Sequence, residues 1–511
     1  MRAGVVSALM LGLLLAPLQS TAAETATAPI KIETGLVTGM AGDGVESFKG
    51  IPFAAPPVGP LRWRAPQPAA AWTGVRAANT YGFVCMQSER VDGSGFVFRR
   101  QDMSEDCLTV NIFRPVTRSA KPLPVMVWIH GGGMVGGAAA APVHDGSAFA
   151  RGGVILVSIN YRLGRLGLFA HPALSKENAD GGQLGNYALM DQIAGLKWVQ
   201  RNIAAFGGDS NNVTIFGESA GAYSVDALMI SPEARGLFHR AIAESGYGRG
   251  TYPRLSTPTP DGRPSAEAEG NSVMEALGVK AADATALRAV SADDIVASAT
   301  GMMGMNFILD GKYITSDLWE AFRQNKAAPV PFILGSNSHE TPMSDINRPQ
   351  LRELVPASED EALAKAYGGQ EMYVSHLGSD VAFTEQARGL ARLHQRNGHP
   401  TYLYLFSVVS AEDAAAGKGA AHAAEIRYVF DNLNVGVKPA TGEAEKAAAK
   451  AMNAMWRAFA LNSNPSTEGQ PKWPMYDGHT IMEFTREGPK VHVDPRESRL
   501  DALAKILGPK S

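Results

Sequence analysis

The sequence predicts an α/β protein built around a large, mostly parallel sheet. Residues 124–130 and 154–162 are continuous apolar runs that end at glycine or polar residues, which is typical of strands buried on both faces. Residues 188–202 carry apolar side chains at helical spacing, and the buried run 212–216 leads into another helical stretch. This alternation of strands and helices favours a parallel sheet covered by helices on both faces.

The remaining segments extend the same pattern. Short strands with glycine turns are predicted over residues 30–53, and an alternating strand over 108–115. Further buried strands are predicted at 330–334 and 402–409. Helical segments are predicted at 265–298, 359–399 and 444–461, followed by a tail rich in proline and glycine. Because no linker separates two independent units, we predict one domain over residues 24–511.

The composition excludes several classes of protein. Of the 511 residues, 45% are hydrophobic and 19% are charged, which excludes a disordered, collagen-like or coiled-coil chain. The formal net charge of −3 argues against a nucleic-acid-binding protein, which would have a basic face. With only two cysteines, the chain is neither a disulfide-dense scaffold nor a cysteine-rich zinc module.

Residues 1–23 are predicted to be a signal peptide. Arg2 precedes an apolar run of residues 5–15, and small residues follow up to Ala23. The run is too short to cross a bilayer, and no later segment is apolar enough to do so. We therefore predict a chain exported to the periplasm or medium, with no stable membrane anchor. In an oxidising compartment, Cys85 and Cys107 are expected to pair.

The segment 214–221, TIFGESAG, predicts a nucleophilic serine. An apolar strand runs into Gly-x-Ser-x-Gly and then into a helix, and the two glycines are expected to permit a tight turn that exposes Ser219. The backbone N–H of Ala220, at the helix N-terminus, is expected to stabilise a developing oxyanion.

A second glycine-rich loop fits the same chemistry. Residues 127–130 end a strand, and Gly131, Gly132 and Gly133 follow with unobstructed backbone N–H groups. Such a loop is expected to complete an oxyanion hole. The alternative, a phosphate-binding loop, lacks the Gly-Lys-Ser/Thr ending and the dinucleotide-binding spacing.

A nucleophilic serine needs a base, and the base needs an acid that orients it. Glu340 follows the predicted strand 330–334 and is the candidate acid, with Asp310 and Asp317 as alternatives. His422 follows the next core strand and is the candidate base. The chain order serine, acid, histidine agrees with this assignment.

The motifs together resemble the type-B carboxylesterase/cholinesterase family over nearly all of residues 31–484. The stretches that carry the resemblance are FKGIPFAAPPVGPLRWRAPQP (48–68), SEDCLTVNIF (104–113), WIHGGG (128–133), NYRLGRLG (160–167), GNYALMDQIAGLKWVQRNIAAFGGD (185–209), TIFGESAG (214–221) and HAAEIRYVF (422–430).

The resemblance implies the α/β-hydrolase fold, with a mostly parallel central sheet flanked by helices and a small N-terminal antiparallel sheet. It also implies hydrolysis of carboxylic esters through an acyl-enzyme, without a metal or organic cofactor. The residues it implies are the triad Ser219, Glu340 and His422, the oxyanion donors Gly132, Gly133 and Ala220, the neighbouring Ser245 and Glu218, the Cys85–Cys107 bridge and an Arg62–Glu105 ion pair.

The chain departs from the family pattern near the predicted site. Thr341 replaces a glycine after the acid, His339 precedes the acid, and Met134 stands where an aromatic residue is frequent. The Met-rich segment 302–307 is a candidate lining of the acyl pocket, with ordinary core filling as the alternative. The partner is expected to be a small-molecule ester. An amidase, a thioesterase and a catalytically silent binding module are the alternative functions.

Overall fold

The computed structural model describes residues 24–91, 96–182, 184–280, 283–298, 306–340, 349–436 and 442–508. The predicted signal peptide (residues 1–23), the methionines of the segment 302–305 and Thr341 lie outside these ranges. Within them, no helix combines the length and the apolar character that a membrane crossing requires.

A central sheet of twelve strands organises the described chain. The strands are β1 (Thr25–Ala26), β2 (Met40–Gly42), β3 (Val45–Pro52), β4 (Thr109–Pro115), β5 (Leu123–Ile129), β6 (Ile155–Ile159), β7 (Gly208–Glu218), β8 (Arg240–Glu244), β9 (Phe332–Asn337), β10 (Thr401–Phe406), β11 (Thr480–Thr485) and β12 (Gly488–Val493). Their order across the sheet is β1-β2-β3-β4-β6-β5-β7-β8-β9-β10-β11-β12.

The centre of this sheet is parallel and its edges are antiparallel. The seven neighbouring strands β6, β5, β7, β8, β9, β10 and β11 run parallel to one another. Strands β1 to β4 and strand β12 pair antiparallel with their neighbours. In the middle, Val127 of β5 pairs with Val157 of β6 on one side and Ile215 of β7 on the other. All three side chains are fully buried, which confirms that the continuous apolar runs form two-sided core strands.

A small sheet lies in the N-terminal part of the chain. Strands Ile30–Ile32 and Gly35–Thr38 form the expected antiparallel pair, and Val75–Ala77 adds to this pair in parallel. Two further pairs lie in the Cys85–Cys107 loop: Val84–Cys85 with Met103–Ser104, and the short ribbon Arg90–Val91 with Val97–Phe98.

The α-helices lie between the strands of the central sheet or follow its last strand. They span Ser147–Arg151, Gly164–Gly167, Pro172–Glu177, Tyr187–Asn202, Ala220–Ile230, Ala266–Ala276, Ala284–Arg288, Ala292–Ala297, Leu318–Arg323, Pro349–Leu354, Asp360–Ala366, Gln370–Ser379, Glu385–Arg396, Ala411–Ala415, Ile426–Val429, Glu443–Asn462 and Glu497–Leu507. A π-helical turn, Asp380–Thr384, joins two of them.

The predicted helices are present with small differences. The segments 188–202 and 444–461 correspond to Tyr187–Asn202 and Glu443–Asn462. The segments 265–298 and 359–399 are each broken into several shorter helices. The tail rich in proline and glycine, for which no element was predicted, supplies β11, β12 and the helix Glu497–Leu507.

Cys85 and Cys107 form a buried disulfide, as the sequence predicts. Beside it, Arg62 makes two hydrogen bonds to the carboxylate of Glu105, 2.7 Å from Nε to Oε2 and 2.5 Å from Nη2 to Oε1. The Arg62 guanidinium also donates to the carbonyl oxygens of Arg288 and Val290, which ties the disulfide loop to the helical segment 284–297. A buried arginine with this many acceptors is well compensated for its lost hydration.

Reduction of this disulfide is expected to lower the free energy of unfolding by about 3 kcal/mol, because the bridge closes a loop with a sequence separation of 22 residues. For a chain of this length, that corresponds to a drop of roughly 3 °C in Tm. Differential scanning calorimetry with and without a reductant measures the shift. A Cys85→Ala/Cys107→Ala variant should show the lower Tm and no further response to reductant. Two free thiols in the mass spectrum of the unreduced protein would contradict the prediction.

Candidate active site

The candidate site lies where five neighbouring strands end. The Gly131–Gly133 loop follows β5, and Ser219, Ser245 and Glu340 follow β7, β8 and β9. His422 lies in the connection after β10. Because the carboxyl ends of neighbouring parallel strands meet at one edge of the sheet, residues far apart in the chain come together there.

The turn at Ser219 is strained at the serine itself. Ser219 has φ 56° and ψ −119°, a conformation that non-glycine residues rarely adopt, and the helix Ala220–Ile230 begins directly after it. The glycines of the motif permit this tight turn, because a Cβ on Gly217 would lie 2.6 Å from the carbonyl carbon of Gly221. A Cβ on Gly217 would lie 2.5 Å from the carbonyl oxygen of Ile129, and one on Gly221 would lie 2.0 Å from it. They therefore allow β5 and the turn to approach each other closely.

Ser219, His422 and Glu340 form a hydrogen-bonded chain. Ser219 Oγ lies 2.9 Å from His422 Nε2, and His422 Nδ1 lies 2.7 Å from Glu340 Oε2. The backbone N–H of His422 also donates to the carbonyl oxygen of Glu340 at 3.0 Å. This arrangement can move a proton from the serine hydroxyl to the imidazole while a carboxylate orients the ring.

Glu340 is held by its neighbours as well as by His422. It is 1% exposed, and its Oε1 accepts hydrogen bonds from Ser245 Oγ and from the backbone N–H of Asn337, both at 2.6 Å. Those two donors fix the carboxylate so that Oε2 faces the imidazole. Ser245 therefore contacts the candidate acid directly.

The alternative acids lie in other environments. Asp310 Oδ1 accepts the backbone N–H groups of the turn 312–314, and its Oδ2 accepts from Asn186. Asp317 accepts the backbone N–H of Tyr252 at 2.6 Å. Both carboxylates thus accept hydrogen bonds from backbone N–H groups.

A second carboxylate, Glu218, reaches the same imidazole. Its Oε1 lies 3.2 Å from His422 Nε2, and the residue is 3% exposed. Burial raises the pKa of Glu218 to about 7, and the neighbouring His422 opposes this shift. Burial alone would lower the pKa of His422, but the charges of Glu218 and Glu340 outweigh it, so that the pKa of His422 is raised.

Replacing Glu218 with glutamine is therefore expected to lower the pKa of His422. A carboxylate favours the imidazolium, so that its loss favours the neutral ring. Because a general base acts in its neutral form, the acidic limb of the kcat/KM profile should move to lower pH. Profiles of the wild type and Glu218→Gln on one neutral ester measure the shift. Glu233→Gln, a change on a helical turn at the surface, should leave the profile in place. An acidic limb at the same pH in Glu218→Gln would contradict the coupling.

The first two glycines of the loop after β5 have no room for side chains. A Cβ on Gly131 would lie 2.7 Å from Glu218 Oε2, and one on Gly132 would lie 2.1 Å from the carbonyl oxygen of Gly136. Gly132 and Gly133 have φ of +114° and +65°, values that favour glycine. Met134 follows at φ +61°.

Two cavities meet at the candidate site. The smaller, of about 120 Å³, is lined by Gly133, Met134, Ala220, Tyr223, Tyr247, Arg249, Gly250, Thr251, Tyr252, Asn306 and Leu318. The larger, of about 570 Å³, is lined by Ser219, His422 and the Gly131–Gly133 loop, and also by Arg90, Phe383 and Arg427 among others. Gly133 and Tyr247 line both.

Several of these lining residues were not identified from the sequence. Phe383 stacks on the imidazole of His422 with ring centroids 4.5 Å apart, and it lies on the π-helical turn Asp380–Thr384. Tyr223 could have been identified from the sequence as a lining residue. It lies one helical turn after Ala220, where the predicted helix begins, so that both residues lie on the same face of the helix. In the segment 302–307, which is the candidate lining of the acyl pocket, Asn306 and Phe307 are described. Asn306 lines the smaller cavity, and Phe307 packs against Tyr223.

His339 lines neither of the two cavities. Its ring stacks on that of His376, with centroids 5.1 Å apart. Elsewhere in the described ranges, no group of three or more His, Cys, Asp or Glu side chains is arranged to hold a metal ion.

Comparison with known proteins assigns the chain to a family. The model of the carboxylesterase family matches residues 26–367 and 361–502. The chain belongs to the carboxylesterase family. It is therefore a carboxylic ester hydrolase with the α/β-hydrolase fold, as its sequence motifs imply.

Individual carboxylesterases resemble the chain over most of its length. It is 36% identical to the fumonisin B1 esterase of Sphingopyxis macrogoltabida over 485 residues, which cover 88% of this chain and 85% of that protein. It is 36% identical to the para-nitrobenzyl esterase of Bacillus subtilis over 476 residues, covering 88% and 93%. A solved carboxylesterase of Geobacillus stearothermophilus superposes with a TM-score of 0.78 at 31% identity, covering 93% of this chain and 99% of the other.

Proposed function

We propose that this carboxylesterase is a serine hydrolase in which Ser219 attacks the ester carbonyl, His422 takes the serine proton, and Glu340 orients the histidine. The observation that carries the proposal is the continuous chain of hydrogen bonds, 2.9 Å from Ser219 to His422 and 2.7 Å from His422 to Glu340. The N–H groups of Gly132, Gly133 and Ala220 would stabilise the tetrahedral anion. His422 then protonates the leaving alcohol, and water hydrolyses the acyl-enzyme by the same route.

The two cavities fit the two halves of an ester. His422 must reach the leaving-group oxygen to protonate it, and His422 lines only the larger cavity. We therefore assign the alcohol portion to the larger cavity and the acyl portion to the smaller one. Tyr223, Tyr247 and Tyr252 contribute aromatic side chains to the wall of the acyl cavity.

The size of the acyl cavity favours short acyl groups. An engineered cavity of about 150 Å³ binds benzene, so a cavity of about 120 Å³ holds an acyl chain of up to about six heavy atoms. Across para-nitrophenyl esters of graded chain length, kcat/KM is expected to peak at four to six carbons, about tenfold above the decanoate. A monotonic rise to long chains would contradict the acyl assignment of this cavity.

Labelling with a fluorophosphonate tests the proposed machinery directly. The reagent reacts with an activated serine, so labelling mapped by peptide mass spectrometry to Ser219 is expected, together with hydrolysis of para-nitrophenyl butyrate. Absence of both would indicate a catalytically silent binding module. Faster turnover of matched amides or thioesters than of esters would favour the alternative amidase or thioesterase activity.

Export to the periplasm or medium remains part of the proposal. It is supported by the signal-peptide pattern of residues 1–23 and by the Cys85–Cys107 disulfide, which is compatible with an oxidising compartment. N-terminal sequencing of the protein from the native host tests it, with a mature start near Glu24 as the expected result.

A further inference from the structure

The two cavities meet in a narrow passage beside the nucleophile. Ser219 lines the larger cavity, and the next residue, Ala220, lines the smaller one. In the proposed mechanism, an acyl group bound to Ser219 Oγ must therefore cross from the larger cavity into the smaller one. Among the described residues, Gly133 and Tyr247 line both cavities, so the acyl group passes between them. The passage between Gly133 and Tyr247 is the acyl entrance.

One side of the acyl entrance is backbone. Gly133 has no side chain, and its φ of +65° is a conformation that favours glycine. Its N–H group is also one of the proposed oxyanion donors, so the ester carbonyl lies against it. The carbon next to the carbonyl therefore lies in the entrance, and Tyr247 is the residue of the entrance that has a side chain.

The ring of Tyr247 is packed between two other aromatic rings. On the side of the smaller cavity it meets the ring of Tyr223 edge to face, with centroids 5.6 Å apart and the ring planes at 81°. On the side of the catalytic histidine it packs against Phe383 at 5.4 Å, and Phe383 stacks on His422. A row of rings thus extends from the imidazole to the acyl cavity, with Tyr247 in the middle.

The chain that follows Tyr247 is held as well. The backbone N–H groups of Gly248 and Arg249 both donate to Gln386 Oε1, at 2.6 and 2.8 Å. Gln386 is itself buried, and its Nε2 donates to the carbonyl oxygen of Val381 at 2.8 Å. Because a displacement of Tyr247 would break these contacts or the ring packing, its side chain forms a rigid edge of the acyl entrance.

We propose that Tyr247 determines the acyl specificity of this enzyme by excluding acyl groups that are branched at the carbon next to the carbonyl. A linear chain places a single CH₂ group between Gly133 and Tyr247, whereas a branched chain places additional methyl groups there. The inference rests on the proposed function, because it uses the assignment of the smaller cavity to the acyl portion. It adds the shape of the acyl group, which chain length alone does not specify.

The test compares three isomeric esters: para-nitrophenyl pentanoate, 3-methylbutanoate and 2,2-dimethylpropanoate. They share the leaving group and the number of acyl atoms, and they differ only in the position of the branch. Each kcat/KM is divided by the hydroxide-catalysed rate constant of the same ester, which removes intrinsic reactivity. The wild type is expected to prefer the pentanoate over the 2,2-dimethylpropanoate by about thirtyfold or more, and over the 3-methylbutanoate by less than about fivefold.

Variants of Tyr247 identify the side chain responsible. Tyr247→Ala removes the ring and should reduce the preference for the pentanoate over the 2,2-dimethylpropanoate by about tenfold or more, whereas Tyr247→Phe keeps the ring and should stay within about threefold of the wild type. Tyr247→Leu should give an intermediate ratio, and it carries the test if thermal unfolding shows that the alanine variant is not folded.

Leu318→Ala is the matched control for a gain of space. Leu318 is buried and lines only the smaller cavity, so its truncation enlarges that cavity beyond the entrance. This variant should shift the optimum toward longer linear acyl chains and leave the ratio of pentanoate to 2,2-dimethylpropanoate within about threefold of the wild type.

The outcomes separate this inference from the proposed function. If no isomer is hydrolysed and no serine is labelled by a fluorophosphonate, the proposed function itself is wrong. If all three are hydrolysed at similar normalised rates, or if a folded Tyr247→Ala or Tyr247→Leu keeps the wild-type ratio, the role of Tyr247 is overturned and the serine mechanism stands. An equal gain in Leu318→Ala would show that total volume limits the branched ester, which also overturns the proposal.

Discussion

Replacement of Ser219 with alanine is expected to lower kcat for ester hydrolysis by about 10⁵–10⁶-fold, because the attacking oxygen is removed. A residual acceleration of about 10³–10⁴-fold over water should persist, since the oxyanion donors and the binding cavities remain. The fold should be unaffected. The Ser219 side chain contributes one hydrogen bond, to His422, and alanine meets the same φ of 56° with the same strain.

The measurement combines steady-state kinetics, fluorophosphonate labelling and thermal unfolding. Ser219→Ala should lose both turnover and labelling while keeping its Tm within about 2 °C. Ser210→Ala, in the same strand β7 but at its far end, serves as the control and should retain full activity. If Ser219→Ala kept wild-type turnover, the nucleophile would have to be another residue.

The second large effect is expected for Glu340→Gln, with a fall in kcat of about 10⁴-fold. Glutamine keeps the size of the side chain and removes the charge that stabilises the imidazolium in the transition state. It also offers an N–H₂ group where His422 Nδ1 needs an acceptor at 2.7 Å, so the ring loses its tautomer and orientation. KM should change little, because Glu340 is buried behind the histidine.

Two parallel variants test this assignment against its alternatives. Asp310→Asn and Asp317→Asn remove charges that accept backbone N–H groups, so they should lower Tm and leave kcat within about threefold of the wild type. A 10⁴-fold loss of kcat in either of them, with Glu340→Gln near normal, would show that the wrong acid has been chosen.

The core strands and the candidate triad could be predicted from the sequence for a physical reason. Strands β5 and β6, and β7 from Val213 onward, are buried on both faces, so most positions there must be apolar, and the runs stand out. Ser219 and His422 were identified because the motif and the strand order place them at the carboxyl edge of a parallel sheet.

Strand β8 could not be predicted from the sequence in this way. Its sequence, RAIAE, has only three small or apolar residues between charges, yet it lies between β7 and β9 in the middle of the sheet. Burial raises the pKa of Glu244 to about 8, which favours the neutral acid, and its carboxyl group accepts a hydrogen bond from the Trp456 indole at 2.8 Å. That contact joins residues from distant parts of the chain, and no local pattern predicts it. The strands β11 and β12 were missed because proline and glycine surround them.

The lining of the cavities was also beyond sequence reasoning. Phe383 reaches His422 from a π-helical turn, where one extra residue shifts the helical register, and hydrophobic periodicity carries no sign of such an insertion. Arg90 lies on a two-residue strand within the disulfide loop, which is too short to have a recognisable pattern.

The convergence of strand ends has a consequence for how the chain acquires its activity. The contact between Ser219 and His422 spans 203 residues, and Glu340 and His422 are 82 residues apart. Each partner is positioned only when its own strand has joined the sheet, so a nascent or partly refolded chain that lacks β9 or β10 has the serine but no base or acid beside it. Contacts this distant in sequence form late and slowly, because loop closure must precede them. Recovery of esterase activity during refolding therefore reports completion of the sheet through β10, and it should lag behind signals from secondary structure.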